Sequence, residues 1–314
     1  MKQYIGVEIG GTKQQIASFA EDGTLIRRIS EKIPLPNGAS DILAWMRAHL
    51  PELMADETVG IGVGFGGIVD TADGSSACSV HVPGWEKFPI KTWFERTFSL
   101  PVTVVNDTVC GGYAELLFGT GRGKDRFFYT NIGTGCGGGF FLHGKNYNGG
   151  TLGAAYFGQS YVPDWDGQIG DVIRVEKICC GPSIEKRLRT PGYVPADSLL
   201  YKMCGGDVSN LRCPDWCEAA RQGDAFALAD IDKWASRYAT ALSTFITLFA
   251  VERASIGGGV SNNGDILLDP IRRHTERLAF VSVEGKFDIV QCETKDDAVL
   301  IGSAMYARDG FTTL

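Results

Sequence analysis

The chain has 314 residues, of which 44% are hydrophobic and 21% charged, a composition typical of globular proteins with a sizeable core. The formal net charge is −7 and no block is dense in lysine or arginine, so we expect no nucleic acid partner. The longest apolar run, residues 238–251, is too short and too rich in Ser and Thr to predict a membrane span. The nine cysteines are scattered and odd in number, which predicts reduced thiols and a cytoplasmic location.

The first 118 residues predict the element order β-β-β-α-β-α-β-α. Apolar residues form short continuous runs in the expected strands and recur at helical spacing in the expected helices. The turn Glu21-Asp22-Gly23 is a strong hairpin signal between the second and third strands. The first strand is expected to begin within a few residues of Met1, which leaves no room for a signal peptide or an N-terminal DNA-binding module. The expected strands are residues 4–9, 15–19, 24–30, 59–65 and 102–105, and the expected helices are residues 40–54, 89–98 and 108–118.

A polar, glycine-rich link at residues 119–126 separates this half from a second one, which opens with its own hairpin at 127–142. Residues 143–175 are expected to be irregular. The remaining expected elements are helices over 176–189, 224–251, 266–278 and 296–308 and strands over 254–256 and 287–292. Because a similar hairpin opens each half, the repetition predicts two related α/β halves that face each other across a cleft.

Both opening hairpins turn through glycines. The first turn is Gly10-Gly11-Thr12-Lys13, and the second is Gly133-Thr134-Gly135 with Gly137 two residues later. Glycine lets backbone N–H groups approach a ligand without an intervening side chain, and successive exposed N–H groups form a nest that suits phosphate. One such turn could serve packing alone, but two similarly built turns favour phosphate binding.

A third glycine turn, Gly257-Gly258-Gly259, follows the short strand at 254–256. Glycines at a strand-to-helix junction could leave a flat backbone surface for an adenosine. A tight packing turn is the alternative interpretation, and the sequence alone leaves both open.

Asn106 and Asp107 stand at the C-terminal end of the strand at 102–105, where ligand-contacting residues of α/β sheets collect. The Asp107 carboxylate could accept the proton of a hydroxyl that attacks a γ-phosphate. The alternative is that Asp107 only caps the following helix, since Asp is favoured at the N-cap. A carboxylate beside several glycine turns favours the general base.

These motifs, in this order, resemble those of the ROK family of sugar kinases, and the resemblance runs nearly end to end. Gly10–Lys13 resembles the first phosphate motif of the family, Asn106-Asp107 its catalytic segment, and Gly133–Gly139 its second phosphate motif. Further matching segments are Gly62–Asp70, Pro83-Gly84-Trp85, Glu115, Gly144, Gly149-Gly150, Gly257–Val260 and Gly302-Ser303-Ala304. Together the motifs are highly specific.

The resemblance implies an α/β fold of two actin-like domains that flank a nucleotide and sugar cleft. The N-terminal domain is expected over residues 1–118, joined by the C-terminal helix at 296–314, and the second domain over 119–295. The implied activity is phosphorylation of a hexose or hexose derivative with ATP and Mg²⁺, by a homodimer. A catalytically weak or inactive regulator that binds sugar or nucleotide is the alternative.

The resemblance also implies roles residue by residue. Asp107 is the implied general base. The implied nucleotide and Mg²⁺ contacts are Glu8, Gly10, Gly11, Thr12, Lys13, Gly133, Thr134, Gly135, Gly137, Gly257, Gly258 and Gly259. The implied sugar contacts are Gly67, His81, Asn106, Asp107, Tyr156, Gln159 and Glu176. For His81, a place in a surface loop is an equal alternative.

Several positions depart from the family pattern. Glu8 stands where the family has Asp, and His81 where it has Asn. Tyr156 and Gln159 replace the Glu and the His of the sugar segment. A phenol is bulkier than a carboxylate and uncharged at neutral pH, so we expect plain glucose to be a poor substrate. A sugar altered near its anomeric end is expected to be preferred.

The structural zinc site of the family, with one His and three Cys, has no counterpart in this chain. Its positions hold Gln159, Gly167, Ile169 and Arg174, so we predict no structural zinc. Cys179-Cys180 could be a metal pair, but adjacent helical side chains do not converge, which favours buried thiols. The loop at 160–175 is then expected to be ordered by apolar packing and by aspartate capping, with Trp165, Ile169, Val172, Asp164, Asp166 and Asp171 available.

Overall fold

A computed structural model describes residues 2–11, 14–32, 37–79 and 82–314 of the chain. Three residues with expected site roles, Thr12, Lys13 and His81, lie outside the described residues. Within the described part of the chain, no helix is both long and apolar enough to cross a membrane.

Runs of strands and runs of helices follow one another along the described chain, as expected for an α/β protein. The strands are β1 (Gln3–Ile9), β2 (Gln14–Ala20), β3 (Leu25–Glu31), β4 (Thr58–Phe65), β5 (Ile68–Asp70), β6 (Ser75–Cys78), β7 (Val102–Asn106), β8 (Arg126–Asn131), β9 (Gly138–Leu142), β10 (Lys145–Asn146), β11 (Tyr161–Pro163), β12 (Val172–Arg174), β13 (Arg253–Gly257) and β14 (Asp288–Gln291). The helices are α1 (Ala39–His49), α2 (Ile90–Phe98), α3 (Asp107–Phe118), α4 (Val175–Cys179), α5 (Gly181–Leu188), α6 (Leu199–Met203), α7 (Cys213–Arg221), α8 (Ala225–Phe249), α9 (Asp265–Leu278) and α10 (Ala298–Asp309).

The chain divides into two compact units. The first unit comprises Met1–Asp125, Gly139–Ala155 and Asp296–Leu314, and the second comprises Arg126–Gly138 and Tyr156–Lys295. The C-terminal helix is thus grouped with the first unit, as is the segment after the second glycine turn. The domain boundaries predicted from the sequence stay a prediction.

The sheet of the first unit has the strand order β3-β2-β1-β4-β7. β2 runs antiparallel to β1 and β3, whereas β1, β4 and β7 are parallel. The register pairs Ile9 with Phe65 and Phe65 with Asn106, so the three parallel strands end level with one another. The residues that follow these strands, among them Gly10, Gly66 and Asp107, are therefore brought to one edge of the sheet.

Successive side chains of β1 point to opposite faces of this sheet. The odd-numbered apolar residues of β1 share a buried core with α1 and α2. The opposite face packs on α10, so closely that a Cβ on Gly6 would overlap the Leu300 carbonyl oxygen, and one on Gly62 that of Ser303. Glu8 has the parity of Gly6 and belongs to the same face. The absence of side chains at these glycines lets the helix lie directly on the strands.

In the second unit, β13 pairs in parallel with both β8 and β14, and α8 packs beside α9. Buried aromatic rings line α8: Trp234 lies edge-on to Trp216 at 5.8 Å and stacks on Tyr238 at 6.1 Å. The Tyr238 hydroxyl lies 3.0 Å from Oγ1 of Thr130, near the end of β8. The long helix thereby supports the strand that enters the second glycine turn.

Three sequence predictions for the second half are wrong. The stretch predicted to be irregular contains short strands, and β11 pairs antiparallel with β12. The helix predicted over 176–189 is two helices, because the chain is extended at Cys180 and a proline follows at the start of α5. The expected packing role of Ile169 is also wrong, since this side chain is fully exposed, and Trp165 is about half exposed.

Candidate active site

Asp107 begins α3 directly after β7, and it is not the residue that caps the helix. Asn106 is the N-cap: its side-chain oxygen accepts hydrogen bonds from the N–H groups of Thr108 at 3.0 Å and Val109 at 3.3 Å. Oδ1 of Asp107 also accepts from the Thr108 N–H, at 2.8 Å. The alternative that Asp107 only caps the helix is therefore wrong, because the Asn106 side chain already accepts the N–H groups of the first helical turn.

The side-chain amide of Asn106 donates a hydrogen bond to the Gly67 carbonyl oxygen at 3.0 Å. Two residues with expected sugar roles are thus in direct contact, and one fixes the backbone of the other. The amide oxygen of Asn106 is used by the helix cap and its N–H group by Gly67. Asn106 therefore shapes this edge of the site, whatever it contacts in a substrate.

The first glycine turn lies beside Asp107. The N–H of Gly66 donates to the Ile9 carbonyl oxygen at 2.8 Å, immediately before Gly10. A Cβ on Gly66 would lie 3.4 Å from Oδ2 of Asp107 and 3.6 Å from Cα of Gly10. A side chain at position 66 would separate the carboxylate from the turn. The glycine at position 66 thus leaves the Asp107 carboxylate next to Gly10, at the start of the first turn.

Two glutamines, which the sequence interpretation did not single out, order the start of this turn. Nε2 of Gln15 donates to Oε2 of Glu8 at 2.8 Å, and Nε2 of Gln14 donates to the Gly10 carbonyl oxygen at 2.9 Å. Both glutamines are buried in β2, opposite the end of β1. The longer Glu8 side chain is therefore held by a side chain of the neighbouring strand. Buried glutamines in a strand were the available sequence signal.

Glu8 and Asp107 share a neighbour, the buried thiol of Cys110. Burial raises the pKa of Cys110 well above its usual value, and the charges of Asp107 and Glu8 raise it further. Two carboxylates thus lie within electrostatic reach of one point on the face that α3 and α10 cover. Carboxylate oxygens are the ligands that Mg²⁺ prefers, usually one or two of them together with substrate phosphates. The residues present fit that ion.

The second glycine turn, in the second unit, is shaped by the last two residues of β8. The Gly137 N–H donates to Oδ1 of Asn131 at 2.7 Å, and Oγ1 of Thr130 donates to the Gly137 carbonyl oxygen at 2.7 Å. Within the turn, the Gly133 N–H donates to the Gly135 carbonyl oxygen at 2.9 Å. Thr134 at the tip is exposed, and a Cβ on Gly133 would meet open space. These hydrogen bonds fix the base of the turn, and its tip at Thr134 faces outward.

The third glycine turn is hydrogen-bonded to the second. The Ile132 N–H donates to the Gly257 carbonyl oxygen at 2.8 Å, and the Val260 N–H donates to the Ile132 carbonyl oxygen at 3.0 Å. Gly258 has a φ of 87° and a Cβ there would clash with Ile132, so packing alone requires this glycine. A Cβ on Gly259, in contrast, would meet open space. Packing thus accounts for part of the triple glycine but not for Gly259.

Gln159 and Glu176 come together beside the second turn. Oε2 of Glu176 accepts the N–H of Cys136 at 3.0 Å, and Oε1 accepts from Nε2 of Gln159 at 3.3 Å. Tyr156 is half-buried at the start of the same short 3-10 turn, where its carbonyl oxygen accepts the Gln159 N–H at 3.0 Å. The residues expected on the sugar side in this unit therefore form one group.

The residues at the expected zinc positions do not fit zinc. Gln159, Gly167, Ile169 and Arg174 offer no imidazole and no thiolate. Among the residues that the structure describes, no group of three or more His, Cys, Asp or Glu could hold a metal ion. Burial raises the pKa of Cys213 to about 12, so this thiol stays protonated at neutral pH. The absence of zinc stays a prediction that elemental analysis must test.

Comparison with known proteins assigns the family. The ROK family model matches residues 4–310 of the chain. Glucokinase from Thermotoga maritima is 28% identical over 312 residues, with 97% of each chain covered. N-acetylgalactosamine kinase from Shewanella sp. is 27% identical over 271 residues, with 84% of each covered. A ROK family glucokinase from Streptomyces griseus, solved with glucose and AMPPNP, matches with a TM-score of 0.85 at 28% identity, covering 98% of this chain and 100% of its own.

This structural match confirms the predicted α/β class and the two-domain actin-like fold. The relatives just named are sugar kinases, which supports sugar kinase function for this chain at the level of the reaction class. The family match extends over nearly the whole length, from the first residues of β1 to the residue after α10. The chain therefore belongs to the ROK family.

Proposed function

We propose that the protein transfers the γ-phosphoryl group of ATP to a hydroxyl of a hexose or hexose derivative. The observation that carries the proposal is the position of Asp107. Its carboxylate lies beside Gly66 and the first glycine turn, while Asn106 is the residue that caps the helix. A carboxylate placed next to a phosphate-binding turn has the position of a general base for phosphoryl transfer.

In this proposal the sugar hydroxyl oxygen attacks the γ-phosphorus and the bond from that phosphorus to the β,γ-bridging oxygen breaks, which releases ADP. Asp107 accepts the hydroxyl proton. The two glycine turns hold the phosphates, with Gly10, Gly11, Thr12 and Lys13 in one and Gly133, Thr134, Gly135 and Gly137 in the other. Mg²⁺, when bound, neutralises phosphate charge, and Glu8 would help to hold it. Gly259, with Gly257 and Gly258, would lie against the adenosine.

The sugar contacts that we propose are Gly67, His81, Asn106, Asp107, Tyr156, Gln159 and Glu176. Glu176 supports this assignment, because its carboxylate is anchored by a backbone N–H of the second turn and still has acceptor capacity. Tyr156 offers one hydroxyl where the family pattern has a carboxylate. A sugar altered near the anomeric end is therefore the proposed substrate, ahead of plain glucose.

The test is a coupled assay of ADP release over a panel of hexoses and N-acetylhexosamines, with ATP and Mg²⁺. Sugar-dependent ADP release by the wild-type protein is the expected result, with a no-sugar reaction as the control for ATP hydrolysis. If no sugar stimulates release while calorimetry detects sugar or nucleotide binding, the protein is the regulator that the altered positions left open.

We also propose a cytoplasmic homodimer. The cytoplasmic location is supported by nine cysteines without a disulfide among the described residues, and the dimer by the family resemblance. Light scattering on the purified protein measures the assembly. A monomer at assay concentrations would contradict the proposed dimer without affecting the proposed reaction.

A further inference from the structure

The hairpin β11–β12 connects Gln159 with Glu176, whose side chains are hydrogen-bonded to each other. Its last register pair is Tyr161 with Arg174, and the Val175 N–H then donates to the Ser160 carbonyl oxygen at 3.0 Å. This hydrogen bond extends the strand pairing by one residue, to the base of the hairpin. Gln159 precedes the hairpin at this base, and Glu176 follows it. The position of Glu176 therefore depends on how the hairpin is held.

The tip of the hairpin is closed by aspartates. The Asp164 N–H donates to the Asp171 carbonyl oxygen at 2.9 Å, and the Gln168 N–H donates to Oδ2 of Asp171 at 2.7 Å. Oδ1 of Asp164 accepts the Asp166 N–H at 3.1 Å. These local bonds shape the tip, but they do not attach it to the rest of the unit.

Asp166 makes that attachment. Its Oδ1 lies 2.7 Å from Nζ of Lys233 and its Oδ2 lies 2.5 Å from Nη2 of Arg237, both on α8. The guanidinium of Arg237 also lies 5.7 Å from the ring centre of Trp165, over its face. One helix thus contacts the hairpin tip through two adjacent residues, and each carboxylate oxygen of Asp166 has its own cation.

Arg237 is the reason that this ion pair differs from an ordinary surface pair. Exposed pairs contribute little because water and salt screen them. The Arg237 side chain, however, is only 4% exposed, whereas that of Asp166 is 54% exposed. Removing the carboxylate would leave a buried guanidinium without its partner, which costs far more than an exposed pair gains.

Arg237 also lies near the helix that carries Glu176. Burial raises the pKa of the Cys179 thiol on α4, and the charges of Arg187 and Arg237 oppose that rise. α8 packs against both β11 and α4. The same region of α8 therefore supports the hairpin tip on one side and the Glu176 helix on the other.

We propose that Asp166 is a positioning residue for the sugar side of the site. Its ion pairs with Arg237 and Lys233 fix the hairpin on α8 and thereby fix Glu176 against the second glycine turn. The positions of the family's zinc ligands, from Gln159 to Arg174, lie in this same segment, and the ion pairs give the segment a fixed point that uses no metal. The role in sugar binding rests on the proposed function, whereas the attachment of the hairpin does not.

The test compares Asp166→Asn with Asp166→Glu and with Asp232→Asn. Asp232, which lies on α8, is a matched control because it is also a half-exposed aspartate with two basic side chains as partners, but it faces α9 through Arg273 and His274. Hydrogen–deuterium exchange over residues 159–178 reports the hairpin without any activity. Steady-state kinetics with the preferred sugar report KM and kcat separately.

We expect Asp166→Asn to speed exchange over residues 159–178 and to raise the sugar KM about 5- to 20-fold, the size of one misplaced hydrogen-bonding group. The ATP KM and kcat should change by less than about twofold. Asp166→Glu should keep the sugar KM close to the wild-type value, and Asp232→Asn should change neither the exchange rate nor the sugar KM. Unchanged exchange in Asp166→Asn would overturn the attachment, and faster exchange with an unchanged KM would overturn the positioning role. A wild-type protein that phosphorylates no hexose and no hexose derivative of the panel would instead refute the proposed function.

Discussion

The edge of the first-unit sheet and the Glu176 region of the second unit are built by different means. At the sheet edge, three parallel strands in level register place Gly10, Gly66 and Asp107, so backbone pairing does the positioning. In the second unit, Glu176 is held by side-chain hydrogen bonds and by an ion-paired hairpin. Backbone register tolerates little change, whereas side-chain contacts can be exchanged singly. Under the proposed roles of Asp107 and Glu176, proton transfer and sugar choice can therefore vary independently.

The largest expected effect comes from removing the base at the sheet edge. Asp107→Asn keeps the size of the side chain but removes the proton acceptor, so kcat should fall about 10²- to 10⁴-fold. Sugar affinity, measured by calorimetry, should stay within about twofold. The matched control is Asp125→Asn, an exposed aspartate of the same unit. If Asp107→Asn turns over at the wild-type rate, the Asp107 carboxylate has no catalytic role.

The close fit of α10 on the sheet gives the next effect, on stability. Gly62→Ala places a methyl group on the Ser303 carbonyl oxygen and should lower the free energy of unfolding by at least about 2 kcal/mol. Gly60→Ala is the matched control in the same strand, because the nearest atoms lie 3.6 Å from its Cβ. Its change should stay within about 0.5 kcal/mol. Equal denaturant midpoints for the two variants would show that α10 does not pack as closely on β4 as described.

The sugar side should respond more weakly and in a substrate-dependent way. Wild-type kcat/KM for glucose is expected to be at least about tenfold below that for the preferred sugar, a difference of about 1.4 kcal/mol. Tyr156→Phe should lower kcat/KM for the preferred sugar about tenfold, since one hydrogen bond is lost. Tyr147→Phe, a partly exposed tyrosine of the other unit, is the control. Glucose as the best substrate would contradict the role of Tyr156.

The sequence predicted the sheet edge well, because the signals there are local. Strand ends, glycine turns and the Asn106-Asp107 pair can each be read from a few neighbouring residues. Which residue of that pair caps the helix could not be predicted, since Asn and Asp are equally good caps. Only the structure shows that Asn106 accepts the helix N–H groups. The contact of Gln15 with Glu8 could likewise not be predicted, because it joins two strands, although glutamines in a strand were a visible signal.

The second unit was predicted less completely for the same reason. The hairpin β11–β12 has short strands and a long acidic tip, so its periodicity is too brief to detect. Of the apolar residues expected to order it, Ile169 is fully exposed and Trp165 contacts Arg237, and the ion pair that orders the tip joins Asp166 to Arg237, 71 residues apart. A contact between residues so distant in sequence leaves no pattern in either segment.

The last prediction is that removal of zinc has no effect on stability. A strong zinc chelator should leave the thermal unfolding temperature unchanged, because no structural zinc is predicted. Activity lost to a chelator of divalent ions should return fully with Mg²⁺ alone. Near-stoichiometric zinc in elemental analysis of the purified protein would contradict this and would point to the cysteines at 179, 180, 204, 213 or 217.

The central claim is that proton transfer depends on Asp107 at the sheet edge, whereas the Glu176 region contributes sugar contacts that take no part in proton transfer. Steady-state kinetics of the double variant Asp107→Asn with Asp166→Asn test it most directly. If the regions act separately, the double variant shows the kcat loss of the first change and the sugar KM rise of the second, and their free energies add to within about 0.5 kcal/mol. A kcat loss much smaller or larger than that of Asp107→Asn alone, or a KM that the second change no longer raises, would contradict the separation.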